Sequence, residues 1–327
     1  MPAADRPFAI GIDIGGSKVA AGVVTSSGEL VDRRTLPTPT DRADAVEGAI
    51  VRLVADLSAD HPVTAVGIGA AGWVDETRRI VRFSPHLAWR NEPLADRLAA
   101  RLELPVVIDN DANAAAWGEY RFGAGQGCDT FAMITLGTGI GGGLVIDGEV
   151  HRGRWGVAGE WGHLCMVPDG QICPCGNRGC WEQYCSGEAL RREARALAGT
   201  GSPMAVPLLE LVGNDPEAIR GHHVTTAALN GDPACLEILC GVGEWLGRGL
   251  AGLAAILDPA RFVIGGGVSE AGEVLLAPAR TAFARHLTGR GFRPLAEVVA
   301  ARLGNDAGLV GAADLARRAA QEPSPRA

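Results

Sequence analysis

Phe8-Ala9-Ile10-Gly11-Ile12-Asp13-Ile14-Gly15-Gly16-Ser17-Lys18-Val19-Ala20-Ala21-Gly22-Val23-Val24 reads as two strand-forming runs with a glycine break between them. Phe8 to Ile14 has the apolar, β-branched character of a strand, Gly15-Gly16 interrupts it, and Val19 to Val24 resumes it, so the spacing predicts a hairpin. The same order returns far along the chain. Phe131 to Leu136 is followed by Gly137-Thr138-Gly139-Ile140-Gly141-Gly142-Gly143 and then by Leu144 to Ile146. Each turn carries a Ser or Thr. Two such units, well separated, predict a duplicated α/β architecture with a cleft between the halves.

Around these units the pattern alternates between strand and helix. Helical spacing runs over Asp41–Ala59, a short buried strand over Val63–Gly69, and an irregular stretch between Gly72 and Pro85. A helix is expected over Pro93–Leu102, with Pro93 in its first turn, where a missing N–H costs nothing. Val106–Ile108 is a strand that runs through Asp109-Asn110-Asp111 into the helical run Ala112–Tyr120. Arg152–Cys185 is rich in Gly and Cys and reads as loop. Glu188–Leu257 is mainly helical, with breaks at Gly199–Pro203 and Gly231–Pro233. A strand over Arg261–Ile264 ends in Gly265-Gly266-Gly267, and a terminal helix covers Gly308–Arg318, within a span of about 304–320. The tail Gln321–Ala327 is expected to be disordered.

The chain has 327 residues, more than one hydrophobic core usually serves, and 47% of them are apolar, which predicts two domains with sizeable cores. The formal charge of −8 argues against nucleic acid or an anionic membrane as a general partner. Lys18 is the one lysine in the sequence. No apolar run reaches bilayer-spanning length. Met1–Pro7 lacks the charged-then-apolar pattern of a secretion signal. A cytoplasmic location follows as the expectation, and there thiols stay reduced, so the eight cysteines call for an explanation other than disulfides.

Four segments carry chemistry. In Asp13-Ile14-Gly15-Gly16-Ser17-Lys18 the glycines allow close backbone approach to a phosphate, Asp13 can hold Mg2+ through water, and Lys18 can offset phosphate charge; an ordinary hairpin turn with a surface lysine stays open. The Gly137–Gly143 run is too costly in chain entropy for a bare turn and suits a phosphate cradle. It is neither a Walker A loop nor a dinucleotide fingerprint, because no Lys-Ser/Thr follows and no helix opens there. Asp109-Asn110-Asp111 lies before a helix, where one residue suffices for capping and three leave a surplus; Asp111 can accept the proton of an attacking hydroxyl. His163, Cys173, Cys175 and Cys180 form H-x9-C-x-C-x4-C, a Cys3His set suited to a structural zinc ion. Cys165 and Cys185 are spare candidates, and Cys128, Cys235 and Cys240 read as scattered buried thiols. Glu160 and Glu182 flank the cluster, either as solvated charges or as rigidly held ligands for sugar hydroxyls. Gly265-Gly266-Gly267 is either a bare turn or a seat for a nucleoside.

Together these segments resemble the ROK family, which comprises bacterial sugar kinases and sugar-sensing repressors. The resemblance runs from Ile10 to about Ala313. It rests most firmly on Gly159-Glu160-x-Gly162-His163 and Cys173-x-Cys175-Gly176-x-x-Gly179-Cys180-x-Glu182. It implies a two-domain actin/hexokinase-like (ribonuclease H-like) fold with a cleft between domains, each domain built on a mixed five-stranded sheet. Residues 1–112, joined by the terminal helix, would form the small domain, and residues 113–303 the large one. The resemblance is greatest to the glucokinases of the family, and so implies ATP-dependent phosphorylation of glucose to glucose 6-phosphate. It implies that Asp13, Gly15, Gly16, Ser17 and Lys18, with Gly137, Thr138, Gly139, Gly141 and Gly142, bind the phosphates of ATP with Mg2+. Gly265, Gly266 and Gly267 would belong to the adenosine site. Asp111 becomes the base acting on the sugar 6-hydroxyl. Asn110, Glu160, His163 and Glu182 become hexose ligands, with Gly72 and Asn91 as further contacts. His163 would serve both sugar and zinc. One departure is the loop Gly69-Ala70-Ala71-Gly72, where many relatives have proline before the glycine.

The rival from another class is a sugar-responsive repressor, but a winged helix ahead of the first strand is not expected from seven residues before Phe8. A sugar sensor without turnover is disfavoured by Asp111 and both glycine turns. Among kinases, N-acetylmannosamine, N-acetylglucosamine and fructose remain as alternative substrates, and polyphosphate as an alternative donor. The resemblance suggests a homodimer or homotetramer, whereas the apolar stretch Leu236–Leu257 serves equally well as core.

Overall fold

β1 (Phe8–Ile14) and β2 (Lys18–Val24) form the expected hairpin, with Asp13 opposite Ala20 and Ile14 opposite Val19. The computed structural model describes residues 8–39, 42–85 and 87–321. Met1–Pro7, the expected helix start at Asp41 and the tail beyond Gln321 fall outside these residues. β3 (Leu30–Pro37) adds an edge strand whose Asp32, Arg33 and Arg34 charge the border of the sheet, a common defence against pairing with other chains. After α1 (Ala43–Ser58), β4 (Val63–Ala70) pairs parallel to β1. β5 (Trp73–Val74), β6 (Val81–Phe83) and β7 (Arg90–Glu92) make a small antiparallel sheet, the first two of its strands lying where the sequence suggested irregular chain. α2 (Leu94–Leu102) begins one residue later than expected, so that Pro93 is its N-cap. β8 (Val106–Asn110) then joins β4 in parallel and leads into α3 (Asp111–Phe122).

β9 (Thr130–Leu136) and β10 (Ile140–Ile146) form the second hairpin, followed by β11 (Glu149–Val150). The turn is shorter than the glycine run: only residues 137–139 lie between the strands, and Gly141, Gly142 and Gly143 belong to β10. A Cβ on Gly143 would lie 2.7 Å from the Ala112 carbonyl, so that glycine admits α3. A long loop of short 3-10 turns leads to α4 (Gly187–Gly199), α5 (Val206–Glu210), α6 (Gly221–Leu229) and α7 (Pro233–Leu257). β12 (Arg261–Gly265), α8 (Glu273–His286), β13 (Glu297–Ala300) and α9 (Ala307–Gln321) complete the chain. α7 buries Leu239, Val242, Leu246, Leu250 and Leu253, and its Gly243 and Gly247 meet α8. The apolar stretch is therefore largely core.

The sheet orders are β3-β2-β1-β4-β8 and β11-β10-β9-β12-β13. Counted within each sheet, both run third, second, first, fourth, fifth, so the echo seen in the glycine turns extends to the whole topology. Mixed pairing, antiparallel at the hairpin and parallel beyond it, is common to both. The near-continuous burial of β1, β2 and β4 reflects cover on both faces.

The chain forms two compact units. The first comprises the residues up to Asp129, Gly143–Gly159, and the residues from Arg302 onward; the second comprises Thr130–Gly142 and Glu160–Ala301. In the first, Ile10, Ile12, Ile50, Leu53, Ile68, Trp89 and Leu98 lie in one core. α9 lies against the sheet so closely that a Cβ on Gly11 or Gly67 would run into the carbonyls of Leu309 or Ala312. Gly311 similarly meets the Ala114 carbonyl of α3.

Candidate active site

In the first unit, Asp13, Gly69 and Asp109 stand in register at the carboxyl ends of β1, β4 and β8. Carboxyl ends of parallel strands are where α/β sheets commonly place ligands. The turn after Asp13 is braced from outside: Thr38 donates its hydroxyl to the Gly15 carbonyl at 2.8 Å and its N–H to the Ser17 carbonyl at 3.1 Å. Gly16, Ser17 and Lys18 are exposed. Burial raises the Asp13 pKa above its ordinary value, and the charges of Lys18 and Arg33 offset this only in part.

The three-residue surplus at β8–α3 divides its labour. Asn110 is the N-cap, its Oδ1 accepting the N–H groups of Ala112 at 2.9 Å and Asn113 at 3.1 Å. Its Nδ2 donates to the Gly72 carbonyl at 3.1 Å and to Asp111 Oδ1 at 3.0 Å. Asp111 Oδ1 also accepts the Ala112 N–H at 2.9 Å, so the carboxylate is oriented at a helix N-terminus that favours its negative charge. Gly72, Asn110 and Asp111 are thus brought together, while Asn91 is exposed on β7 with a left-handed φ of 50°.

The Gly69–Gly72 loop has no proline, and hydrogen bonds hold it instead. Ser84 donates to the Ala71 carbonyl at 2.8 Å, and Asn110 to that of Gly72. Nearby, burial would raise the Asp75 carboxyl, but the Thr77 hydroxyl and the N–H groups of Ile80 and Arg79 outweigh it and hold the pKa below the ordinary value. Sequence reasoning missed Thr38, Ser84 and Asp75, which carry no local signal beyond being turn-forming polar residues.

In the second unit the turn at Gly137–Gly139 rests on the start of α4. Gly187 N–H donates to the Gly137 carbonyl at 2.8 Å and Glu188 N–H to the Thr138 carbonyl at 3.3 Å. Gly265 stands opposite Thr135, so the third glycine set follows a strand end beside this turn. Gly266 has φ 82°, and Ser269 Oγ closes its carbonyl at 2.7 Å.

The loop from Glu160 to Cys185 gathers the remaining candidates. Trp181, fully buried, donates its ring N–H to the Trp245 carbonyl at 2.9 Å and so anchors the segment carrying Cys180 and Glu182. The ligand atoms of His163, Cys173, Cys175 and Cys180 all lie within 4.8 Å of one another. Cys175 and Cys180 sulfurs are 3.6 Å apart, and Cys173 Sγ is 3.7 Å from His163 Nδ1. A tetrahedral zinc ion with Zn–S near 2.3 Å requires ligand separations of about 3.8 Å, so this donor set fits one. Burial pushes the Cys173 and Cys180 thiols up, while Cys175 is held below its ordinary value because the Asn177 N–H and neighbouring thiols outweigh burial. Cys165 and Cys185 lie outside the cluster: the first is exposed, and the second is fully buried beside the Val242 carbonyl. Cys128 and Cys235 are buried, Cys240 partly so.

His163 faces two carboxylates. Its Nε2 is 3.8 Å from Glu160 and its Nδ1 is 3.8 Å from Glu182, whose Oε1 also accepts from Cys173 at 3.1 Å. Three of the side chains that sequence reading put on the sugar, Glu160, His163 and Glu182, therefore converge.

Residues 9–319 match the sequence model of the ROK family. The chain belongs to the ROK family. It is 49% identical over 316 residues to the glucokinase of Streptomyces coelicolor, covering 97% of this chain and 98% of the relative. With the glucokinase of Thermotoga maritima it shares 39% identity over 308 residues, 94% of this chain and 96% of the relative. Among solved structures, a ROK family glucokinase from Streptomyces griseus in complex with glucose and AMPPNP superposes with a TM-score of 0.89 at 52% identity, covering 95% of this chain and 99% of that one. The actin-like sugar kinase fold, with its duplicated sheet, is the fold of this ROK protein. Among the described residues no helix is long and apolar enough to cross a membrane.

Proposed function

We propose that this chain is a cytoplasmic glucokinase, transferring the terminal phosphoryl group of ATP to the 6-hydroxyl of glucose. The observation that carries this reading is its near-full-length likeness to two glucokinases and to one bound to glucose and AMPPNP. Asp111 accepts the hydroxyl proton as the oxygen attacks phosphorus; the Asn110 amide and the Ala112 N–H on its Oδ1 aim the carboxylate. Asn110, Glu160, His163 and Glu182 bind the hexose, with Gly72 and Asn91 as further contacts.

Asp13, Gly15, Gly16, Ser17 and Lys18, together with Gly137, Thr138, Gly139, Gly141 and Gly142, receive the phosphates, and Gly265–Gly267 the nucleoside. Asp13 would hold Mg2+ through water, and the ion would supply neutralisation of phosphate charge. His163 Nδ1, Cys173, Cys175 and Cys180 would hold a zinc ion, which would supply no chemistry of its own but would fix the loop carrying Glu160 and Glu182.

The test is a coupled assay with a hexose panel, with ATP and with polyphosphate, on the parent chain and on Asp111→Asn. Glucose with ATP is expected to turn over fastest. Asp111→Asn is expected to keep glucose binding while losing roughly 10²- to 10⁴-fold in kcat. Undiminished turnover in that variant rejects Asp111 as the base. Turnover confined to an N-acetylated sugar retains the mechanism with a different substrate.

A further inference from the structure

Arg152 lies in the loop that precedes Glu160, and it belongs to the first unit. Its Nε and Nη2 donate to Asp109 Oδ2 at 2.8 and 2.5 Å, and its Nη1 to the Val150 carbonyl at 3.1 Å. The pair is inside the protein, with the Asp109 side chain 3% exposed and that of Arg152 18%. The other Asp109 oxygen accepts the Asn110 N–H at 3.0 Å and the Asn113 amide at 3.1 Å. Asp109 therefore fixes the backbone of the very residue that caps α3 and touches Asp111.

A buried ion pair seldom adds stability beyond what well-packed apolar side chains would give, because both charges must be stripped of water. Its location supplies a different reason. Without the guanidinium, Asp109 is a buried carboxylate with two neutral donors and must take up a proton or turn away. Turning away releases the Asn110 N–H, and a neutral carboxyl holds it through Oδ1 less strongly than a carboxylate does, so either change loosens the amide that aims Asp111. We propose that Arg152 is a positioning residue for phosphoryl transfer, acting through Asp109 and Asn110 on the Asp111 carboxylate. This rests on the reading of Asp111 as the base. A misplacement of reacting groups by ~1 Å can cost as much as ~10²-fold in rate, so a remote arginine has ample leverage.

The experiment is a double-mutant cycle on the full chain. Arg152→Met is expected to lower kcat by about 10- to 100-fold with the glucose KM within about threefold, and Arg152→Lys to recover part of the loss. In an Asp111→Asn background, Arg152→Met is expected to lower the residual turnover no further, because the group it positions is already disabled. Asp109→Asn, which keeps Arg152 and the shape of the site, should reproduce the kcat loss and gives the same reading if Arg152→Met does not fold. Equal fractional losses in both backgrounds would mean a general structural role, and full activity in both Arg152→Met and Asp109→Asn would overturn the inference outright. Failure of the base assignment shows separately, as an active Asp111→Asn.

Discussion

The two glycine turns occupy equivalent places in two sheets of identical strand order, yet they are built differently. The turn at Gly15–Ser17 is held by one threonine from the chain after β3, and it presents an acid before it and a lysine after it. The turn at Gly137–Gly139 has neither charge; its carbonyls are taken up by the first N–H groups of α4, and its Gly139 lies against Glu182. In both, bonding the carbonyls inward removes the groups that would repel a phosphate. The difference is that charge chemistry sits on the first turn, whereas the second is coupled to the loop carrying the His/Cys cluster and to a proposed sugar ligand. Duplication supplied the scaffold, and the side chains have specialised.

Asp13→Asn breaks the comparison most severely. It should lower kcat by about 10²- to 10³-fold, since the first turn then loses its acid and, like the second, offers no carboxylate to a metal ion. Its stability should move the other way. Burial raises the Asp13 pKa, so the carboxyl favours the fold fully only below the ordinary carboxylate range, and that contribution is lost as pH rises through the folded value. At neutral pH the asparagine variant should therefore melt higher than the parent, with the gap closing on acidification. A variant that melts lower at every pH would contradict this.

Removing the metal addresses the second turn. Elemental analysis should find about one zinc per chain, and stripping it should raise the glucose KM by ~10- to 100-fold, more than the ATP KM. A zinc-free preparation with unchanged glucose KM would detach the cluster from sugar binding. The finest test is a single methyl group. A Cβ on Gly139 would sit 2.5 Å from Glu182 Oε2, forcing that carboxylate aside, whereas on Gly15 the nearest atom is 3.7 Å away. Gly139→Ala should raise the glucose KM by about tenfold, and Gly15→Ala should leave it within about twofold. Equal effects would erase the proposed distinction.

Much of this was legible in the sequence, and the failures have physical causes. The hairpin strands show because both faces are buried, giving near-continuous apolar runs. β3 was missed because an edge strand carrying Asp32, Arg33 and Arg34 looks like loop, and α8 because Pro278 lies inside it. The glycine run was read as one long turn, although Gly143 serves helix packing; a glycine admitting a phosphate and one admitting a carbonyl look alike in one dimension. The His/Cys spacing was legible because its ligands are close in sequence. Arg152 was not, since its partner Asp109 lies 43 positions earlier and only the fold joins them.

The seating of α9 also has a consequence for how the molecule is made. β1 and β4 each use a glycine to receive this last helix, so the strands synthesised first wait for the helix synthesised last. Thr130–Gly142 and Glu160–Ala301, by contrast, are all joined to the chain before Arg302 is added. The second unit is thus complete in sequence before α9 is, while β1 and β4 keep one face uncovered until that helix has been made and has docked. A chain that lacked α9 would leave the glycines of β1 and β4 facing nothing, and the apolar face of that sheet would be open to other chains.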